Sequence, residues 1–242
     1  MLIQAALNGG TTRKAHPGVP LTPAELAAEA AAAKLAGAGA FHLHPRDATG
    51  AQTLAPEHVL PAVAAVRAAT GLPVGVTTGI WTVAGDVRRR LDLVAGWAGD
   101  GRPDYASINM NEPGLEDLAD LLTSIGIGIE AGVWAPADAR VLGASGFRDR
   151  IGWVLMEPEE RVPAAAVATA AAAAAELARL GVTARQVRHG YDQATWEVLS
   201  AALADGQDIR IGLEDTTVLP DGSPAAGNAD LVAAAARLAR PA

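Results

Sequence analysis

Two histidines stand two positions apart in residues 41–47, Phe-His-Leu-His-Pro-Arg-Asp, and this spacing could bind a metal ion. If residues 38–43 form a β-strand, His42 and His44 project from the same face and can share one ion. Histidines also occur as hydrogen-bonded members of buried polar networks, and two ligands do not complete a metal site. A further ligand must therefore come from another part of the chain.

Composition and length limit the classes of protein to be considered. A chain of 242 residues, half of them hydrophobic, can bury one large core or two smaller ones. The hydrophobic excess is largely alanine in helix-like runs, and no stretch approaches the roughly 20 strongly apolar residues of a membrane span. The sequence has no cysteine and no visible secretory leader. These features predict a soluble, cytoplasmic protein without disulfides or thiolate ligands.

The charge balance argues against a nucleic-acid partner. The formal net charge is -8, whereas proteins that bind the phosphate backbone present clustered basic surfaces. The strongest basic cluster is Arg88-Arg89-Arg90, which we interpret either as an exposed helix face or as the wall of an anion pocket. We therefore expect a small-molecule ligand.

Strand-like and helix-like segments alternate regularly along the chain. The predicted strands comprise residues 2–7, 38–43, 72–77, 105–109, 126–130, 151–155, 186–189 and 208–213. The first helix has clear boundaries, because Thr22, Pro23 and Glu25 form an N-cap, a first-turn proline and a capping-box acid, and Gly37 follows its end. A second helix is predicted between Pro56 and Gly71. Later helices are predicted over residues 84–98, 115–124, 135–142, 163–180, 192–204 and 228–238.

Eight such units predict an α/β fold of the (β/α)8 TIM barrel type, with residues 1–242 as one domain. The alternative is a doubly wound open sheet. No Gly-x-Gly-x-x-Gly motif follows the first strand, and residues 8–12 lack the lysine of a phosphate-binding loop. The barrel is therefore the favoured fold.

In a barrel, the carboxyl ends of the strands meet at one rim, where active sites lie. Glu214 follows the eighth predicted strand, two strands away from the histidine pair, so it is a candidate third ligand. Two histidines and a carboxylate suit zinc, although another divalent metal or a simple rim salt bridge at Glu214 remain alternatives. The polar residues at the predicted strand ends are Asn8, His42, His44, Thr77, Thr78, Ser107, Asn109, Glu130, Glu157, His189, Arg210, Glu214 and Asp215.

Ordered motifs follow these strands along nearly the whole chain. They are Asn8-Gly9-Gly10-Thr11-Thr12-Arg13, His42-Leu43-His44-Pro45-Arg46, Thr77-Thr78-Gly79, Ala106-Ser107-Ile108-Asn109, Ile209-Arg210-Ile211-Gly212-Leu213-Glu214-Asp215 and a closing segment over residues 222–232. Together they resemble the motifs of the β-keto acid cleavage enzyme family. The sequence from Trp134 to Arg161 departs most from that family.

The resemblance implies a zinc-dependent enzyme that condenses a β-keto acid with acetyl-CoA and releases acetoacetate and a new acyl-CoA. It implies that the metal ligands are His42, His44 and Glu214, that Asp215 is the general base and that Arg210 is its electrostatic partner. It also implies a homo-oligomer. The candidate substrate-binding residues are Thr77, Ser107, Asn109, Glu130 and Arg46.

Two other functions remain open at this stage. One is a metal-dependent barrel lyase or aldolase that uses the same ligands without CoA, and the other is a barrel that binds ligands without catalysis. Three tryptophans follow strand ends closely and either line a substrate pocket or pack in the core. They are Trp81, Trp134 and Trp196.

Overall fold

The computed structural model describes residues 1–240 and contains a closed barrel of eight parallel strands surrounded by helices. The strands are β1 (Ile3–Ala6), β2 (Ala40–Leu43), β3 (Val74–Val76), β4 (Tyr105–Asn109), β5 (Gly128–Val133), β6 (Ile151–Met156), β7 (Arg185–Arg188) and β8 (Asp208–Ile211). The helices are α1 (Pro23–Ala36), α2 (Pro56–Thr70), α3 (Val87–Ala95), α4 (Leu115–Ser124), α5 (Pro136–Ala144), α6 (Pro163–Arg179), α7 (Thr195–Ala204) and α8 (Asn228–Leu238).

The strands pair in chain order, and β1 closes the barrel by pairing with both β2 and β8. Ala5 is opposite Phe41 on one side and opposite Ile211 on the other. The predicted (β/α)8 fold is therefore confirmed, and the strand ends that follow β8 and β2 lie on either side of β1. Because all strands are parallel, their carboxyl ends form one rim.

Local sequence explains where the first helix begins and ends. The Thr22 hydroxyl accepts a hydrogen bond from the Glu25 amide, and the Glu25 carboxylate accepts one from the Thr22 amide, which is the predicted capping box. Gly37 follows the helix with a φ of 121°, a region that favours glycine. Buried residues of this helix, such as Leu26 and Ala33, pack toward the barrel.

Two predicted boundaries were wrong in ways that affect the site. The strand predicted to end at Glu130 continues to Val133, so Glu130 lies within β5 and not at the rim. The helix predicted over residues 84–98 is shorter, Val87–Ala95, and a separate 3-10 turn, Ile80–Val83, precedes it. Ala84 and Gly85 have φ values of 53° and 86° between these elements, a conformation that interrupts a helix.

The basic cluster in α3 has two different environments. Arg88 and Arg89 are exposed, as one interpretation of the sequence expected, and Arg88 pairs with Asp92. Arg90 is fully buried and its guanidinium lies 2.5 Å from the Glu112 carboxylate.

None of the helices described over residues 1–240 combines the length and the hydropathy that a bilayer span requires.

We expect Arg90→Met to lower the free energy of unfolding by about 3–5 kcal/mol, because it leaves the buried Glu112 carboxylate without its cation. Urea unfolding measures the change. The double variant Arg90→Met/Glu112→Gln should recover part of the loss, and Arg88→Met, which removes an exposed pair, should cost no more than about 1 kcal/mol. Equal stability of the Arg90 and Arg88 variants would contradict a structural role for the buried pair.

Candidate metal centre and active site

The carboxyl ends of the strands surround a cavity of about 200 Å³. Most of the site residues predicted from the sequence contribute to its wall, and they come from four different strands or the residues that follow them. These residues are His42, His44, Thr77, Ser107, Asn109, Arg210 and Glu214. The structure therefore brings together side chains that are up to about 170 positions apart in the sequence.

His42, His44 and Glu214 form a compact donor cluster in this cavity. One potential ligand atom from each residue lies within 4.8 Å of the other two. The two Nε2 atoms of the histidines are 3.1 Å apart, and Nε2 of His44 is 3.3 Å from Oε1 of Glu214. Donor atoms held at about 2.0–2.1 Å around a tetrahedral zinc are themselves about 3.3 Å apart. These spacings fit one shared divalent cation.

Neighbouring side chains orient both imidazoles toward the cluster. Nδ1 of His44 is 2.6 Å from the Gln52 amide oxygen, which also accepts a hydrogen bond from the Trp81 indole. An amide oxygen can only accept, so His44 Nδ1 carries the proton and Nε2 presents its lone pair. Nδ1 of His42 lies 3.5 Å from the buried Glu130 carboxylate. Glu130 thus supports the histidine from below the cavity.

Charge states also favour metal binding. Burial is the main cause that lowers the pKa of His42 well below its ordinary value, which keeps the imidazole neutral and able to bind a cation. Burial acts to raise the pKa of Glu214, but Arg210 and His44 outweigh it, and the pKa lies well below its usual range. Glu214 Oε2 is buried and has no hydrogen-bond partner in the described chain. The donor set therefore fits the metal that the sequence predicts.

Arg210 connects this cluster to Asp215. Its guanidinium lies 2.6 Å from Oε1 of Glu214 and 2.8 Å from Oδ1 of Asp215, and its side chain is 1% exposed. Oδ2 of Asp215 is buried and, among residues 1–240, has no hydrogen-bond partner. Asp215 therefore has one oxygen held by a cation and one that is free to accept a proton.

His189 is a second group beside Asp215. Its Nδ1 is 3.2 Å from Oδ1 of Asp215, and its Nε2 is 3.4 Å from Oε2 of Glu157. Burial and Arg210 act to lower the pKa of His189, but the two carboxylates raise it above its ordinary value. The same Glu157 oxygen is 3.1 Å from the Tyr191 hydroxyl.

Three of the polar residues singled out in the sequence have supporting positions. The Asn8 side chain donates to the His44 carbonyl at 2.9 Å and accepts from the His44 amide at 2.9 Å, which fixes the backbone of that ligand. Arg46 donates to the carbonyls of Gly9 and Thr11 and holds the loop after β1, while Glu130 lies behind His42. None of these three side chains is part of the cavity wall.

Several residues of the cavity wall were not predicted from the sequence. Gln52 comes from the loop after β2 and Tyr191 follows β7, and neither lies in a motif that marks it. Trp81 and Trp134 line the cavity, which is the first of the two alternatives that the sequence left open for the tryptophans. Trp196 does not, because its indole nitrogen donates to the Val218 carbonyl in a packed position.

The fold and this cluster define a (β/α)8 protein with a candidate metal-dependent active site at the carboxyl ends of its strands. The chain belongs to the β-keto acid cleavage enzyme family, whose model matches residues 1–124 and 162–242. The unmatched residues 125–161 contain the region that the sequence indicated as the most divergent. A search of curated proteins found no match.

Solved structures show the same fold at low sequence identity. The apo structure of ObcA is 19% identical, with a TM-score of 0.71, and the alignment covers 90% of this chain and 61% of that one. A ternary complex of ObcA with a C4-CoA adduct and oxalate is 20% identical, with a TM-score of 0.70 and coverage of 90% and 62%. The chain thus spans less than two thirds of the length of ObcA.

The fold is shared more widely. The 3-dehydroquinate dehydratase from Aquifex aeolicus VF5 is 15% identical, with a TM-score of 0.58 and coverage of 98% of this chain and 97% of that one. At these identities the likeness establishes the barrel, and the chemistry has to be argued from the site.

We predict that His42→Ala and Glu214→Ala each abolish stoichiometric binding of zinc, because each removes one of three donors. Elemental analysis after dialysis against zinc measures the metal content. His58→Ala, at a half-buried position of α2 outside the donor cluster, is the matched control and should retain metal at the wild-type level. Full zinc occupancy in both ligand variants would contradict the site.

Proposed function

We propose that this chain is a zinc-dependent β-keto acid cleavage enzyme that uses acetyl-CoA as its second substrate. Carbon 2 of the β-keto acid forms a bond with the acetyl carbonyl carbon, and the CoA thiolate leaves. The thiolate then attacks the original keto carbon, and the bond between carbons 2 and 3 breaks. Acetoacetate and a new acyl-CoA are the products, so no oxidant or further reactant is needed.

The observation that carries this proposal is the position of Asp215 beside the donor cluster formed by His42, His44 and Glu214. When bound there, zinc would supply Lewis-acid stabilisation of the negative charge that develops on the keto oxygen. A β-keto acid also needs a base that removes a proton from carbon 2. A family member with both features in one site has the two groups that this reaction requires.

Asp215 is the proposed general base. Arg210 and His189 both lie against its Oδ1 atom, so they fix the carboxylate and balance its charge, while Oδ2 remains to take the proton. The same oxygen returns a proton to carbon 2 when acetoacetate is released. Arg210 thus serves as a positioning and electrostatic partner of the base.

The other groups of the cavity would bind and orient the substrate. Thr77, Ser107 and Asn109 present short polar side chains along its wall. We propose that they bind the β-keto acid, whereas the contacts of Arg46 and Glu130 support a role in shaping the site. The ternary complex of ObcA with a C4-CoA adduct and oxalate supports a site of this kind on the same fold.

Turnover of a panel of β-keto acids by the zinc-loaded protein, with and without acetyl-CoA, tests the proposal. Mass spectrometry should detect acetoacetate and the new acyl-CoA in equal amounts, and only when acetyl-CoA is present. Cleavage that proceeds equally well without any thioester would instead assign the chain to the lyases or aldolases. Absence of any turnover across the panel would contradict both enzyme assignments.

We predict that Asp215→Asn lowers kcat by about 10²–10⁴-fold, the usual contribution of a positioned general base, while zinc content stays at the wild-type level. Enzyme-catalysed exchange of the carbon 2 protons with deuterated solvent, followed by NMR without acetyl-CoA, should fall by a similar factor. Asp149→Asn, an exposed position, is the control and should behave as wild type. Normal proton exchange in Asp215→Asn would refute its role as base.

A further inference from the structure

Gln52 lies in the cavity wall, and two neighbouring rings fix the orientation of its amide group. Its Oε1 atom accepts a hydrogen bond from the Trp81 indole nitrogen at 3.1 Å and lies 2.6 Å from Nδ1 of His44. An indole nitrogen can only donate, so the amide oxygen must be the atom that faces both rings. The amide nitrogen, Nε2, therefore points away from them.

The loop after β2 folds back on itself and places Gln52 beside the second histidine of the donor cluster. Gln52 pairs with Arg46 in a short antiparallel bridge. Between these two residues, Oδ1 of Asp47 accepts from the backbone amides of Thr49 and Ala51, at 2.8 Å and 3.1 Å, which closes the turn. Backbone hydrogen bonds therefore set the position from which the Gln52 side chain extends.

The Trp81 side chain is held in place although the residue is 48% exposed. Its ring stacks on the His44 imidazole, with centroids 6.2 Å apart and an angle of 23° between the planes. A Cβ atom built on Gly79 would overlap the Trp81 ring, so the ring lies directly against the glycine backbone. The turn that carries the tryptophan is fixed as well, because the Ile80 amide donates to Oε2 of Glu112 at 3.1 Å. The indole can therefore hold the amide of Gln52 in one orientation.

The space beside Nε2 of Gln52 is open and adjoins the donor cluster. A Cβ atom built on Gly10 would lie 3.8 Å from Nε2, and apart from residues 9–11 no other heavy atom of the described chain lies within 4 Å of that position. One residue earlier, a Cβ atom on Gly9 would overlap the Glu214 side chain. Within residues 1–240, both hydrogen bonds of the Gln52 side chain use Oε1. The two N–H groups of Nε2 are thus left to face the cavity near Glu214.

We propose that Gln52 is a further substrate-binding residue, whose Nε2 atom donates a hydrogen bond to the carboxylate of a β-keto acid bound at the donor cluster. The inference rests on the proposed function, because that function supplies the β-keto acid. The acid has three oxygens, and its keto oxygen and one carboxylate oxygen can chelate one cation. The second carboxylate oxygen then needs a donor from the wall, and a fixed N–H group next to the cluster provides it.

A neutral donor suits this position better than a carboxylate. Glu214 and Asp215 already place two negative charges beside the cavity, where Arg210 contacts both, and the substrate brings another. The Gln52 amide supplies N–H groups without adding charge, while its oxygen still accepts from Nδ1 of His44. One side chain thus orients a metal ligand and binds the substrate.

Gln52→Glu separates these two roles. The carboxylate can still accept from His44, so elemental analysis should find zinc at the wild-type level. The N–H donor is replaced by an acceptor, so the dissociation constant of acetoacetate should rise by about tenfold or more, as expected for loss of a charge-assisted hydrogen bond. Calorimetry on protein saturated with zinc measures it. A wild-type dissociation constant, or loss of zinc, would overturn the assignment.

Gln52→Met distinguishes loss of the donor from added charge repulsion. Methionine has a similar length and no N–H group, so acetoacetate should again bind about tenfold more weakly in the presence of excess zinc. Weak binding in Gln52→Glu together with wild-type binding in Gln52→Met would attribute the effect to repulsion and overturn the hydrogen bond. Gln207→Glu, which makes the same change just before β8 at the opposite end of the barrel, is the matched control and should bind acetoacetate as wild type does.

Binding of acetoacetate requires neither acetyl-CoA nor turnover, so it separates failure of this assignment from failure of the proposed function. Weaker binding in both Gln52 variants supports the assignment even if no β-keto acid is cleaved. Turnover of β-keto acids with a wild-type KM and wild-type acetoacetate binding in Gln52→Met would overturn the assignment and leave the proposed function intact. Failure of the zinc-loaded wild type to bind acetoacetate would also overturn it.

Discussion

The pairing of β1 with both β2 and β8 is the constraint on which the candidate site depends. It places His42 and His44, which are carried by β2 and the residue following it, within 4.8 Å of Glu214, which follows β8. Asn228 strengthens this closure at the rim, because its side chain accepts from the Leu213 amide at 2.9 Å and donates to the Leu7 carbonyl at 3.1 Å. A helix that begins at this asparagine thus ties the ends of β8 and β1 together, and the donor geometry follows from backbone hydrogen bonding.

Arg210 balances the charges that this closure concentrates. Glu214 and Asp215 are adjacent acids in a buried environment, and two carboxylates out of water are costly unless each has a partner. One guanidinium contacts both, which its planar fork of donors allows. His189, which directly follows β7, also contacts Asp215, with its Nδ1 atom 3.2 Å from Oδ1. The site is therefore organised by buried ion pairs, and a divalent cation at the histidines and Glu214 would complete the balance.

The family model matches the residues on one side of the cavity and leaves part of the other side unmatched. The donor cluster, Arg210 and Asp215 lie within the residues that the family model matches. Gly132, Trp134 and Glu157 lie in the unmatched residues 125–161, which form β5, α5, β6 and their connections. In a barrel enzyme, different loops and strand ends can contribute the reacting groups and the groups that contact the rest of the substrate. The residues of the candidate metal site therefore lie in the part of the chain that the family model matches, while Trp134 and Glu157 of the cavity wall lie outside it.

The sequence by itself determined the order of strands and helices and the capping box at Thr22, and it marked the histidine pair, Glu214 and Asp215 as candidate site residues, because periodicity, capping residues and motifs are local properties. It could not place Glu130 below His42, Arg46 on the loop after β1, or Gln52 and Tyr191 in the wall. Nor could it show that the Gln52 amide oxygen faces both His44 and Trp81. Those features depend on strand register and side-chain packing across the barrel, which are set by contacts between residues far apart in the chain, so only the tertiary structure decided them.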